Sequence, residues 1–203
     1  PGGITAPTSL TFGPDGRLYV AQHDGTIKVL TLDPAKNVTT VQAVRELAEV
    51  SADDLPRMVL SSAETNRVLG GGIVPGSLVL IAGDPGIGKS TLLLRLAQEV
   101  SEAVGPSLYV TGEESAAQIR MRADRIGVSG RGLLVLATTD FDQVCAVLES
   151  RNPVLVVIDS IQTMLDPSLP AGPGSLAQIR DCTRRLAEWA KASNVSIILA
   201  GHV

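Results

Sequence analysis

The stretch "GDPGIGKST", Gly83–Thr91, follows the apolar run "LVLIA", Leu78–Ala82, and its reading decides the fold. It matches the pattern G-x-x-x-x-G-K-[ST] without a mismatch. Glycines at 83, 86 and 88 let successive backbone N–H groups turn inward, so that Gly83, Asp84, Pro85, Gly86, Ile87 and Gly88 form a cradle for phosphate oxygens. Lys89 supplies a point charge, the Ser90 hydroxyl is a ligand for Mg²⁺, and Thr91 opens a helix whose positive end faces the same oxygens. A strand before and an amphipathic helix after are the context this loop requires. The loop therefore predicts a nucleoside triphosphate, ATP, with Mg²⁺.

Downstream, apolar strands alternate with amphipathic helices. Strands are expected at Leu78–Ala82, Leu108–Thr111, Leu133–Ala137, Val154–Ile158 and Ile197–Gly201, and helices near 89–104, 115–127, 140–150 and 175–192. Near-continuous apolar strands of this length suit a parallel sheet covered on both faces. Two helices open with capping-box spacing, Ser115 with Gln118 and Ser175 with Gln178. The expected fold is a doubly wound α/β P-loop NTPase core with its ligand at the carboxyl ends of the strands.

Further chemistry falls at those ends. The strand "PVLVVIDS" finishes on Asp159, placed to hold Mg²⁺ through its water shell. "GEES" puts Glu113 and Glu114 between a strand and a capped helix, where a carboxylate can deprotonate the water that attacks a γ-phosphate. Glu113 is the first choice as base and Glu114 the second; one of the two can instead serve the helix macrodipole. After Asp159, residues 162–175 are rich in Pro and Gly and read as a mobile loop without a packed core.

Composition narrows the class. The chain has 203 residues, 44% hydrophobic and 19% charged, which suits a globular fold and not a disordered one. The net charge of −4 leaves nucleic-acid contact to a local basic stripe. Aromatics at 2% argue against a base-stacking platform for single strands. Cys145 and Cys182 match neither a disulfide framework nor a zinc pattern and read as buried filler in a reducing cytoplasm. No run approaches the ~20 apolar residues of a membrane span, and no signal peptide is visible. The absence of an initiator Met suggests a processed or fragmentary start.

The first 40 residues are of another kind. Residues 8–32 alternate at period two and are broken by Pro14-Asp15-Gly16 and His23-Asp24-Gly25, which predicts a three-stranded antiparallel meander. Leu10 with Phe12, Leu18 with Val20, and Ile27 with Val29 are the apolar pairs that line its faces. His23 reads as a solvated turn residue. The pattern F-x-P-D-G-x-L-Y-V-A resembles one β-propeller blade over about 25 residues. Residues 33–40 read as a polar loop and 41–62 as a linker with a short helix, leaving 63–203 as the nucleotide-binding core, truncated at its C-terminal end.

"NRVLGGGIVPGSLVLIAGDPGIGKSTLLLRLA", "LYVTGEESAAQIRMRADRIG", "VVIDSIQTM", "PGSLAQIRDCTRRLAEWAK" and "ILAGHV" stand in the order and spacing of the RadA (Sms) family of bacterial DNA-repair ATPases, RecA-like motors that residues 64–203 resemble. The resemblance implies a catalytic Glu at the Glu113-Glu114 pair, a Mg²⁺ carboxylate at Asp159 and a γ-phosphate sensor at His202. It implies DNA-dependent ATP hydrolysis in recombinational repair, single-stranded or branched DNA as partner, and a homo-oligomeric ring, a hexamer in full-length members. The DNA-facing loop would be 162–175. It lacks Lys and Arg, so contact would come from its backbone, Gln162 or Thr163, or from Arg180, Arg184 and Arg185, which equally suit a solvated helix face.

The family's four-cysteine zinc module, its Lys-Asn-Arg-Phe-Gly motif and its protease-like domain have no counterpart here, and "SSAETNRVLGGG", residues 61–72, lacks the Gly-containing turn usual ahead of the family's Glu-Leu-Asp-Arg stretch. Weak or absent DNA-stimulated hydrolysis is the expectation for this polypeptide. Two other readings stay open: a RecA-superfamily regulatory module of the circadian-clock-kinase type, and an inactive truncated fragment that only binds ATP.

Overall fold

A computed structural model describes residue 4 and residues 6–23, 26–44 and 56–202, with backbone only at 39–44. The chain divides into two compact units, Pro1–Asp54 and Leu55–Val203.

In the first unit, β1 (Pro7–Phe12), β2 (Leu18–Gln22), β3 (Ile27–Leu32) and β4 (Val38–Val44) pair in sequence order, each antiparallel to the next. The β1–β2 turn forms as its residues dictate: Gly16 takes φ +74° and Asp15 accepts bonds from the Arg17 backbone N–H and the Tyr19 hydroxyl. The register places Leu10, Val20 and Lys28 opposite one another, and likewise Phe12, Leu18 and Leu30. Leu30 thus shares a face with Leu18 and Val20, whereas Ile27 and Val29 occupy the other. Val20, Val29 and Leu30 are buried, and Leu10 and Phe12 on the outer strand are exposed.

Two expectations change here. The sheet has four strands because β4 occupies 38–44, where a loop and the start of a helix were expected; β-branched Val38, Thr39, Thr40, Val41 and Val44 favour the pleated backbone. The remainder of that helix, at 45–55, lies outside the described residues. A four-stranded antiparallel sheet is common to many folds, and nothing in it confirms the propeller-blade likeness. The linker expected at 41–62 also ends earlier: Met58 and Ile73 exchange backbone hydrogen bonds of 2.8 and 3.0 Å, and Met58 and Leu60 are buried in the second unit.

The second unit is the doubly wound α/β core. Its elements are α1 (Ala63–Val68), β5 (Leu78–Ala82), α2 (Lys89–Ala103), β6 (Ser107–Thr111), α3 (Ala116–Ile126), β7 (Leu133–Ala137), α4 (Phe141–Arg151), β8 (Leu155–Asp159), α5 (Leu176–Ser193) and β9 (Ser196–Gly201). The five strands run parallel in the order β5-β9-β8-β6-β7. Side chains alternate across the sheet and build two cores. Tyr109, Leu155, Val157, Ile198 and Ala200 pack under α2 and α3. Leu108, Val110, Val156, Ile158, Ile197 and Leu199 pack under α4 and α5. Strands β6, β8 and β9 are buried throughout, each large apolar side chain contributing about 1.5–3 kcal/mol.

The capping box at Ser115 forms in both directions, and α3 stops at Gly127 in the left-handed region. At Ser175 only half of the box forms. Its hydroxyl accepts from the Gln178 N–H, but the fully buried Gln178 side chain turns away to bond Asp166 N, Asp166 O and Ala171 O at 2.8–3.0 Å. That reach overturns the expectation of a loop without a core. Met164 and Asp166 are buried, and Asp166 pairs with Arg185, whose guanidinium lies 4.7 Å from the Phe141 ring centroid. The buried stripe of α5 is accordingly Gln178, Cys182, Leu186 and Ala190, while Leu176 at its first position is exposed. Burial pushes the Cys182 thiol up to about 11, which keeps it an inert core group. Among the described residues no helix is long and apolar enough to cross a membrane.

Candidate functional site

The carboxyl ends of four parallel strands carry the site: Gly83–Thr91 follows β5, Glu113 follows β6, Asp159 ends β8 and His202 follows β9. Gly83 N–H donates to Gly201 O at 3.3 Å, which joins the start of the loop to the strand that presents His202. Gly86 and Gly88 take φ of +82° and +101°, a backbone that side chains resist, and Gly88 caps α2.

Lys89 is 8% exposed, and its ammonium donates to Gly83 O at 2.6 Å and Asp84 O at 2.8 Å. A buried ammonium needs such partners. Two of its three donors are used and one is left for the cavity. A cavity of about 280 Å³ is lined by Pro85, Gly86, Gly88, Lys89, Ser90, Thr91, Glu113, Arg122, Arg125 and His202. With Arg122 paired to Glu114, Lys89 and Arg125 against Glu113 leave its walls net cationic, which suits an anion in a chain whose net charge is −4. Ile87, at the tip of the loop, is 70% exposed and does not line it.

The two glutamates separate cleanly. Glu114 is committed to an ion pair with Arg122. Glu113 faces the cavity, and its Oε1 accepts from the Ser160 hydroxyl at 2.9 Å and lies 3.2 Å from His202 Nε2. A carboxylate only accepts, so Nε2 carries the proton in that contact. Both bonds fall on Oε1, which leaves Oε2 for a water. Burial raises the Glu113 pKa, but the hydrogen bonds from His202 and Ser160 and the charge of Lys89 outweigh it and hold the carboxyl below its usual range.

Asp159 is 8% exposed and does not line the cavity. Its Oδ2 accepts from the Tyr109 hydroxyl at 2.5 Å, and the same hydroxyl lies 3.5 Å from Ser90 O. Burial and the Asp159 charge push the Tyr109 phenol far upward, so it remains a donor. With Oδ2 occupied, Oδ1 and the Ser90 hydroxyl are the hard oxygen donors that fit Mg²⁺ and its waters. Motif spacing alone does not single out Tyr109, Ser160, Arg122 or Arg125. Ser160 carries a signal, because it directly follows the strand-terminal Asp159; Tyr109 reads only as an apolar strand residue.

Gly112 locks the Glu113 turn against the loop after β8. A Cβ there would come 2.5 Å from Thr163 Cβ and closer still to its hydroxyl. Gly112→Ala is expected to cost about 1–3 kcal/mol of stability, read as a lower thermal midpoint. Gln162 bonds His202 O at 3.2 Å, Thr163 bonds Ser160 O at 2.7 Å, and Arg184 pairs with Asp181 and Glu188. Of the three arginines considered for DNA, Arg180 is exposed and, among the described residues, has no ion pair.

Comparison with known proteins agrees with this geometry. A family model described as "AAA domain" matches residues 40–203. DNA repair protein RadA of Bacillus subtilis is 44% identical over 167 residues, 82% of this chain and 36% of the relative. RadA of Streptococcus pneumoniae is 48% identical over 158 residues (78% and 37%), and that of Escherichia coli 45% over 163 (80% and 35%). The chain spans just over a third of the length of these relatives. A KaiC-like protein from Pyrococcus horikoshii superposes with a TM-score of 0.61 at 22% identity, covering 73% of this chain and 71% of that one, a likeness of fold. The chain belongs to the AAA domain family, and its second unit is a RecA-like ATPase module homologous to that of bacterial RadA.

Proposed function

We propose that the second unit binds ATP·Mg²⁺ in the 280 Å³ cavity and hydrolyses it, as the motor core of a cytoplasmic, ring-forming RadA-type protein that acts on single-stranded or branched DNA in recombinational repair. The observation that carries the reading is Glu113, held ionised by Ser160 and His202 with one oxygen free, on the wall that also bears Lys89 and Ser90.

In this reading the backbone N–H groups of Gly86 and Gly88 and the ammonium of Lys89 hold the β- and γ-phosphates. Thr91 stands at the first turn of α2, beside the inner phosphates. Mg²⁺, when bound, neutralises phosphate charge; Ser90 and Asp159 hold it and its waters, and Tyr109 fixes the Asp159 carboxylate. Glu113 Oε2 accepts the proton of the attacking water. His202 reports the state of Glu113 and the γ-phosphate, and its carbonyl bond to Gln162 passes that state to residues 162–175. Glu114 is released from the role of base by its pair with Arg122.

DNA as partner is supported by the 44–48% identity to proteins named for DNA repair, and Arg180, Gln162 and Thr163 are the residues closest in kind to that task. The clock-kinase alternative has the fold likeness alone. The test is phosphate release from ATP by the chain, with and without Mg²⁺ and single-stranded DNA. Mg²⁺-dependent release, raised little or not at all by DNA, is expected; bound ATP with no release under any condition contradicts hydrolysis.

A further inference from the structure

Helices α4 and α5 pack on one face of the sheet, and between them runs a groove of about 380 Å³ that the phosphate chemistry does not use. Phe141, Leu148 and Leu186 form its apolar floor, and all three are buried. Cys145 and Trp189 are half-buried in its walls, and Ala192 is exposed. The spacing is helical on both sides: Cys145 and Glu149 stand at i and i+4 on α4, and Arg185, Trp189 and Ala192 at i, i+4 and i+7 on α5. Two side-chain ridges with an apolar trough between them fit one more helix, and a Trp open to that trough is the residue type that anchors protein contacts.

The charges on the walls decide which helix. Arg185 is spent on Asp166, and Glu188 pairs with Arg184 at 3.0 Å. Glu149 is exposed and has no ion pair or hydrogen bond among the described residues. It stands in the last turn of α4, where the helix macrodipole disfavours an acid, so its own helix gives no reason for the charge. Asp142, seven residues earlier and with its side chain 62% exposed, meets Arg185 only at 3.9 Å. Neither Arg151 nor Lys191 lines the groove. Two underused carboxylates therefore lie ~10 Å apart along α4 beside the trough, a pattern complementary to cations flanking an apolar stripe.

We propose that the α4–α5 groove docks a helix of a partner protein whose apolar face is flanked by Lys or Arg, with the apolar side chains against Trp189 and Cys145 and the cations on Glu149 and Asp142. Trp189 is the single tryptophan of the chain and reports on the groove directly. The test titrates a helical model peptide of Leu and Lys, with Leu at i, i+3, i+4 and i+7, into the whole chain and follows Trp189 emission. Saturable binding with a blue shift is expected, and the counterpart with Glu in place of every Lys is expected to bind at least about tenfold more weakly. Glu149→Lys should weaken the Leu-Lys peptide about three- to tenfold, and Ala192→Arg, which sets bulk and a cation on the wall, about tenfold or more. Both positions are exposed, so neither variant threatens the core. Equal affinity for the two peptides, or Leu-Lys binding unchanged in both variants, would make the contact unspecific or place it elsewhere and overturn the proposal. No shift of Trp189 emission at millimolar peptide would overturn it as well. A shift that follows the chain's own concentration without peptide would put a second copy in the groove, and the partner helix would fall.

Discussion

Lys89→Ala is expected to weaken ATP·Mg²⁺ binding by about two orders of magnitude, since charge-assisted hydrogen bonds contribute about 1.5–3 kcal/mol each. Its ammonium is buried against Gly83 O and Asp84 O with one donor left over, so it holds the loop and contacts the ligand together. Removing it deletes the charge and also leaves two loop carbonyls without their partner. The fold should survive, because the packing of α2 runs through Leu93, Leu94, Ala97 and Val100, one turn or more further on. Lys89→Arg keeps the charge but not the compact shape, and is expected to recover little of the affinity. Isothermal titration on both variants, with circular dichroism to confirm folding, measures this; affinity unchanged in Lys89→Ala would remove the phosphate assignment.

Glu113→Gln should separate binding from chemistry. The amide keeps the contact to Ser160 and loses the base, so the nucleotide affinity is expected to hold within about threefold while kcat falls by about 10²–10³, the usual worth of a general base. Glu114→Gln breaks only the pair with Arg122 and should change kcat by less than about tenfold. A reversed ranking would move the base to Glu114. The pH profile carries the same sign. The Glu113 carboxyl is held below its ordinary 4.5, so the acid limb of kcat/KM lies under that value and the rate is flat in this group across neutral pH. Any stability that its bonds to Ser160 and His202 confer is present above the ordinary pKa and is lost as pH falls through the lowered one.

The parts of this site that one contiguous stretch specifies were legible in the sequence. Gly83–Thr91 announces a phosphate cradle because loop, charge and helix start are adjacent, and Asp159 stands out as an acid closing an apolar strand. Strand and helix positions in 78–201 could be read within a residue or two for the same reason: each element's period is local. What escaped depends on residues brought together by the sheet. Tyr109 and Asp159 are 50 residues apart, Ser160 and Glu113 47. Gln178 looked like half of a capping box and instead clamps the 166–171 segment, a choice made by burial and not by spacing. At 38–44 the mixture of Val and Thr with Gln and Ala reads as the end of a loop and the start of a helix, and pairing with β3 makes it a strand.

Titration of ATP into the wild-type chain, with and without Mg²⁺ and with Lys89→Ala as the paired control, tests the central claim most directly. The account predicts saturable binding of one nucleotide per chain, tightened by Mg²⁺, displaced by tripolyphosphate and lost in the variant. Binding that ignores Lys89, or no binding at millimolar ATP, would contradict it.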